Sequence, residues 1–322
     1  YAIRVDHGGA THFEVIGNDS EASLRLSETV SGQVVADDGS PRANTTVELV
    51  DETGFLVDQA QTDTNGTFEF GPVEPNETYR LRATVDGVPY RQSVDASSNQ
   101  SVTIATPPPT DDSSVLTVAN DTRTAYVMQV VPPQNESGVP SVVETVTLRN
   151  TADEPFAGDV LIRTPAESTP YAAMVQGQES PYRQSETGVR LNVTIPANGT
   201  TQVGAAYDLT DGEFEKKFGR DTPTLAVVVQ GYEPTKIEHS ENLQVGSAPV
   251  SLLTNNDTIR QGETIRVNLT GARSQATTNE SVATNASESS SIPAFPGTEI
   301  LATISGMVFV GLAAYRLVPR ED

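Results

Sequence analysis

The chain has 322 residues, room for two ordinary domains with linkers, but only 36% of them are hydrophobic and 6% aromatic, so its cores are modest. Asp and Glu number 43 against 20 Lys plus Arg, a formal net charge of −23, which makes nucleic acid a poor partner because phosphate binding needs clustered cations. With no cysteine there is no disulfide, no thiolate nucleophile and no cysteine-ligated metal.

Only Lys216, Lys217 and Lys236 are lysines. An acidic, lysine-poor surface suits molar salt, where the Debye length falls to about 3 Å and carboxylate repulsion is screened. The composition therefore points to a salt-loving microbe.

Residues 1–27 lack an apolar signal segment and a start methionine, so the chain reads as a mature product or a fragment. This segment holds His7-Gly8-Gly9-Ala10-Thr11-His12, the one close histidine pair. Two imidazoles five apart could share a metal, but the sequence identifies no partner carboxylate for them, so the pair reads as an exposed N-terminal segment.

Residues 28–106 carry short alternating runs at sandwich spacing. Val47 and Leu49 share one face, Phe68 and Phe70 another, and Tyr79, Leu81, Ala83 and Val85 a third. Turns are predicted at residues 37–41, at Asn65-Gly66 and at Asp86-Gly87. Period-two burial with polar outer faces means antiparallel sheets packed on one core. The runs Val30-Ser31-Gly32-Gln33-Val34-Val35, Gly39-Ser40-Pro41, Thr62-Asp63-Thr64-Asn65-Gly66-Thr67-Phe68-Glu69-Phe70 and Tyr79-Arg80-Leu81 resemble the carboxypeptidase regulatory-like family. That family is related in fold to transthyretin and to CnaB adhesin repeats, and the resemblance implies a seven-stranded sandwich. CnaB repeats often carry a lysine isopeptide bond; residues 28–106 contain no lysine, which excludes that crosslink here. Asp63-Thr64-Asn65-Gly66 lacks the further carboxylates of a calcium loop and reads as a turn.

Residues 107–114, with three consecutive prolines, read as a stiff spacer. Residues 115–247 read as a second sandwich. Tyr126, Met128 and Val130 alternate, as do Val146 and Leu148, Val160 and Ile162, and Val189, Leu191, Val193 and Ile195; residues 225–229 form a continuous apolar run expected in a central strand. The Val-Thr-Leu-Arg-Asn strand and the later Ile-Pro-Ala-Asn-Gly-Thr-Thr turn loosely resemble Ig-like repeats of microbial surface proteins. Residues 248–272 are strand-like and either extend this module or form a small hairpin.

Residues 273–298 form a Ser/Thr-rich stalk without hydrophobic period. Residues 299–318 are expected to be a single transmembrane helix: 300–315 carry no charge, and 19 residues to Val318 span about 28 Å. Arg316 and Arg320 follow the run, so residues 319–322 are a cytoplasmic tail and the N-terminus lies outside. The stalk, Phe295-Pro296-Gly297 and the apolar run resemble the PGF-CTERM sorting tails of archaeal surface proteins, although the order Pro-Gly-Phe is absent and the chain ends in Glu321-Asp322.

Asparagine usage agrees with that topology. Thirteen of 16 asparagines begin an Asn-x-Ser/Thr triplet: Asn18, Asn44, Asn65, Asn76, Asn99, Asn120, Asn135, Asn192, Asn198, Asn256, Asn268, Asn279 and Asn285. Chance predicts roughly three. Turn chemistry accounts for some of them, but not for Asn192 and Asn268, which sit in strand-like runs. These 13 are candidate glycosylation sites in a chain that lies outside the cytosol.

No catalytic, cofactor or metal site is identified. There is no His-Glu-x-x-His helix, no phosphate-cradling glycine loop and no nucleophile elbow, and acidic pairs such as Glu213 and Glu215 read as solvated surface. The fold class expected is all-β, two Ig-like or transthyretin-like sandwiches in tandem. The function expected is a membrane-anchored structural or adhesive cell-surface glycoprotein, not an enzyme, with membrane lipid as one partner and a surface-layer protein or glycan as another. The alternatives are an accessory fragment of a secreted carboxypeptidase- or protease-type hydrolase, and a carbohydrate-binding module using Tyr90, Tyr182 and Tyr232 as platforms.

Overall fold

The computed structural model describes residues 2–15, 25–96, 101–120, 125–133, 138–246 and 252–273. All regular structure among them is β apart from two short 3₁₀ turns, Ser113–Val115 and Pro234–Lys236. No helix among the described residues is long and apolar enough to cross a membrane. The stalk, the expected helix at 299–318, the tail, and the sequons at Asn18, Asn99, Asn135, Asn279 and Asn285 lie outside the described residues. The chain divides into two compact units: residues 1–115 with 150–158 and 193–199, and the remainder.

The first unit opens with a hairpin of β1 (Ala2–His7) and β2 (Ala10–Val15), turned by Gly8 and Gly9 at φ of 62° and 97°. Seven strands follow: β3 (Glu28–Ala36), β4 (Thr46–Val50), β5 (Leu56–Gln61), β6 (Thr67–Val73), β7 (Thr78–Val85), β8 (Val88–Asp95) and β9 (Val102–Thr106). They form a three-stranded sheet, β6-β3-β9, and a four-stranded sheet, β5-β4-β7-β8. The strand count is the one the family resemblance implies.

The alternation read from the sequence is the burial observed. Val34, Val47, Leu49, Leu81 and Ala83 are fully buried, and Phe68 and Phe70 pack at 5.5 Å between ring centroids. The hairpin contributes Ala10 to the same core, so residues 1–27 are not simply an exposed lead-in. The turn before β6 closes as expected: the Asp63 carboxylate accepts from the Asn65 and Thr67 amides, and Gly66 takes φ 74°. Gly32 has a different reason to be glycine. A Cβ there would stand 2.2 Å from the Val102 carbonyl of β9 and 2.5 Å from the Phe68 ring.

Residues 107–114 do not behave as a free spacer. Thr110 bonds through its amide to the Pro155 carbonyl and through its own carbonyl to the Ala157 amide. Polyproline stiffness prevents local bonding but leaves carbonyls and flanking amides available to neighbouring chain.

The remaining strands are β10 (Leu116–Val118), β11 (Tyr126–Val131), β12 (Ser141–Asn150), β13 (Phe156–Arg163), β14 (Thr169–Val175), β15 (Gln178–Glu179), β16 (Tyr182–Ser185), β17 (Gly188–Ile195), β18 (Thr200–Asp208), β19 (Glu213–Lys217), β20 (Leu225–Val229), β21 (Glu238–His239), β22 (Leu243–Val245), β23 (Leu252–Asn255) and β24 (Thr264–Asn268). A large sheet runs β15-β14-β18-β12-β11-β20-β23-β22, with β10 also paired to β12. Two three-stranded sheets, β13-β17-β16 and β19-β24-β21, complete the set.

β20 is buried at every residue and lies between β11 and β23, the central place its unbroken apolar run predicts. The strand-like residues 248–272 extend the second module: β23 pairs with β20 and β22, and β24 with β19 and β21.

Candidate functional site

Two features of the described residues invite a functional reading. One is the set of sequon asparagines. The other is a buried polar cluster that the sequence did not announce.

Eight sequon asparagines are described. Asn44, Asn65, Asn76, Asn120, Asn192, Asn198 and Asn256 are exposed, and Asn268 is half-buried. The three asparagines outside sequons differ in kind. Asn150 is fully buried; its Nδ2 donates to the Glu154 and Pro196 carbonyls at 2.8 and 3.2 Å, and its Oδ1 accepts from the Ala152 amide at 3.0 Å. Asn255 donates to the Pro223 and Asp257 carbonyls at 2.9 and 2.8 Å. Asn242 donates to the Thr264 carbonyl at 3.2 Å. These amides brace loops. Those of Asn44, Asn65, Asn76, Asn120 and Asn192 have no hydrogen-bond partner among the described residues.

Turn chemistry explains part of the pattern, because Asn44, Asn76 and Asn198 adopt positive φ, where asparagine is favoured. It does not explain Asn192, which lies in β17 with its side chain outward. Two sequon amides are engaged: Asn198 Nδ2 donates to Asp153 Oδ1 at 3.2 Å and Asn256 Nδ2 to the Glu241 carbonyl at 2.9 Å.

The buried cluster sits in the second unit. β12 places Glu144 inward, in line with Val142, Val146 and Leu148. β19 places Lys216 inward between Phe214 and Phe218. Both side chains are wholly excluded from solvent, and Lys216 Nζ lies 2.9 Å from Glu144 Oε1. The other lone pairs of Glu144 are taken by phenols: Tyr126 donates to Oε1 at 2.9 Å and Tyr207 to Oε2 at 2.8 Å. Lys216 also donates to the Arg163 carbonyl, and its ammonium lies 5.7 Å from the ring centres of Tyr126 and Phe218.

Burial pushes the Lys216 ammonium below its ordinary range, a shift the Glu144 charge opposes. Burial, then Glu144, pushes both phenols well above theirs. The carboxylate is satisfied on every side, so the cluster fastens β19 against β12 and β18 and presents no group to a solvent-borne substrate.

Period-two spacing could have found this pair. Lys216 occupies a core slot in Phe214-Glu215-Lys216-Lys217-Phe218, and Glu144 a core slot in Val142-Val143-Glu144-Thr145-Val146. A charged residue at such a slot signals a buried partner.

The histidine pair is split. His12 is buried, with Nε2 3.3 Å from the Pro72 carbonyl, whereas His7 is exposed. Desolvation, more than the nearby His7 charge, lowers the His12 pKa. No group of three or more potential metal-ligating His, Asp or Glu side chains occurs among the described residues. Glu213 and Glu215 are exposed, and both face Arg266. Two of the three tyrosines considered as sugar platforms are core residues: Tyr90, whose hydroxyl donates to the Pro107 carbonyl at 2.7 Å, and Tyr232. Their rings are covered, which removes them as stacking surfaces.

Comparison with known proteins identifies one domain. Residues 29–107 match the model of the carboxypeptidase regulatory-like domain, a regulatory and non-catalytic module. No curated protein matches the chain. Among solved structures, an M1 zinc metallopeptidase from Deinococcus radiodurans is 16% identical, with 48% of this chain and 42% of that one covered at a TM-score of 0.30. Aminopeptidase A of Legionella pneumophila, solved with aspartic acid, is 10% identical over 48% and 21% at 0.30. BcpA, the major pilin subunit of Bacillus cereus, is 8% identical over 75% and 85% at 0.21. The chain thus spans less than half the length of the peptidases, and likenesses this distant carry no inference about activity.

Proposed function

We propose that this chain is a non-catalytic cell-surface glycoprotein, structural or adhesive, held at the membrane by its apolar segment at residues 299–318. The observation that carries the reading is the division among asparagines. Among the described residues, seven of the eight sequon asparagines are solvent-exposed, while the three outside sequons are buried or half-buried and use their amides structurally. Glycan transfer requires an accessible amide nitrogen, so selection for modification separates the two groups in this way. The all-β architecture, a regulatory-like sandwich included, supports a scaffold role, and the net charge of −23 suits a saline exterior.

Mass spectrometry of the protein isolated from its native membranes tests the reading. Peptide mapping is expected to show glycans first at Asn44, Asn65, Asn76 and Asn192, and less at Asn198, Asn256 and Asn268, whose amides are engaged or half-covered. An unmodified protein recovered from the cytosol would refute it.

The regulatory-like domain also favours a second reading, an accessory module of a larger secreted hydrolase. A catalytic domain covalently joined to residue 1 in the same mapping experiment would establish that reading instead.

A further inference from the structure

We propose that the outer face of the β5-β4-β7-β8 sheet binds an acidic polysaccharide, a polymer bearing uronate or sulfate groups. This deepens the adhesive reading above by naming the face and the ligand class. It rests on that reading for where such a polymer would be met, not for the chemistry of the face.

Arg80 and Arg82 project outward from β7, and Arg91 of β8 stands directly opposite Arg82 in the ladder. Like charges directly opposite one another destabilise a sheet pair. Glu48 of β4 neutralises Arg82 only. Arg80 and Arg91 are exposed and have no ion-pair or hydrogen-bond partner among the described residues. In a chain with 43 acidic and 20 basic residues, three neighbouring guanidiniums, Arg80, Arg82 and Arg91, with one carboxylate paired among them form a local excess of positive charge; β16 and β17 oppose two, Arg183 and Arg190, with Asp159 on Arg183. Asp95, at the end of β8 opposite Thr78, is the other acid on this face.

The surroundings narrow the ligand. Gln59, Gln61, Thr84 and Ser93 are exposed on the same face and offer neutral amide and hydroxyl groups that suit sugar hydroxyls. Most large apolar and aromatic side chains point the other way, into the core, and the outer face carries only Val50 and the exposed Leu56, beside Arg80. A flat sheet face has neither a groove for side-chain anchors nor free ladder positions for strand addition, the two devices by which a peptide is usually held. A stiff, hydroxyl-rich polyanion loses less conformational freedom on such a face, and guanidinium forks grip carboxylate or sulfate in two-point contacts. The described sequons of this module, Asn44, Asn65 and Asn76, lie in the connections between strands, so glycans there leave the sheet face open.

The experiment measures binding of the purified full chain, in mild detergent, to alginate, dextran sulfate, neutral dextran and poly-glutamate. Measurements run at about 0.05 M and about 0.5 M salt. Alginate or dextran sulfate is expected to bind and to weaken with salt, with neutral dextran inert and poly-glutamate weaker. The R80S/R91S variant is expected to bind at least about tenfold more weakly. Its unfolding midpoint should hold or rise slightly, since the variant relieves the repulsion between Arg82 and Arg91. R260S, removing an exposed arginine of the second unit that is already paired with Asp221, should bind as the parent does. Unchanged binding in R80S/R91S, equal capture of poly-glutamate, or no binding to either polyanion would overturn the proposal. Each of these leaves the surface-glycoprotein reading standing. A cytosolic, unmodified protein that still bound alginate would sink that reading and not this one.

Discussion

Replacing Lys216 by methionine keeps the length of the side chain and removes one member of the buried cluster. The 2.9 Å ion pair with Glu144 is lost, and Glu144 keeps its two phenol donors but loses its one ion-pair partner. Breaking a buried pair from one side costs about 3–5 kcal/mol. The two remaining tyrosine bonds place this case toward the lower part of that range. At about 3–4 kcal/mol and roughly 2–4 °C per kcal/mol for a module of this class, the melting midpoint of the second unit should fall by about 6–16 °C. The matched removal separates the charge from its setting. K216M/E144L leaves the Tyr126 and Tyr207 hydroxyls without an acceptor, at about 1–3 kcal/mol each. K216M/E144L/Y126F/Y207F removes every side-chain polar group of the cluster and leaves only the Arg163 carbonyl without its lysine donor, and should return to within about 2 kcal/mol of the parent. Urea unfolding followed by circular dichroism and tyrosine fluorescence reads these differences without interference, because the chain has no tryptophan. A K216M cost below about 1 kcal/mol would show that the pair is hydrated or unmade, and the account of β19 being fastened to β12 would fail with it.

Two more outcomes are expected. Burial holds the His12 pKa below its ordinary value, with Asp58 and the Pro72 carbonyl opposing, so the unfolded hairpin takes up the proton first as pH falls. Docking of β1–β2 is therefore complete above about pH 6.5 and weakens below it; exchange protection of the hairpin amides, corrected for intrinsic pH dependence, should drop toward pH 5 in the parent and not in H12L. Gly32→Ala places a methyl 2.2 Å from the Val102 carbonyl, which β9 cannot vacate without leaving β3. A loss of about 1–3 kcal/mol or more in urea unfolding is expected, against a few tenths for the exposed Thr103→Ala on the same strand pair.

β4, β6 and β7 of the first unit were legible because each obeys one rule: a period-two apolar face bounded by turn residues, as in Thr67-Phe68-Glu69-Phe70 after Asn65-Gly66. The same rule found β11, β12 and β17, and β20 was found by its unbroken apolar run. Where local signal is short, legibility ended. β21 and β22 are two and three residues long and exist through pairing, β21 with the remote β24 and β22 with its neighbour β23. Thr110 likewise finds its bonding partners only in residues 155–157.

Composition and spacing alone determined that this is an acidic, cysteine-free, all-β chain rich in sequons, since charge, sulfur content and period-two burial are properties of neighbouring residues. Only the tertiary structure decided which polar residues face inward. Lys216 and Lys217 are adjacent in sequence, yet one lies in a sealed core and the other in solvent. The same holds for Asn150 against Asn192, and for the arginines that β7 and β8 bring face to face. Register between distant strands sets each of these outcomes, and a one-residue slip would reverse every one.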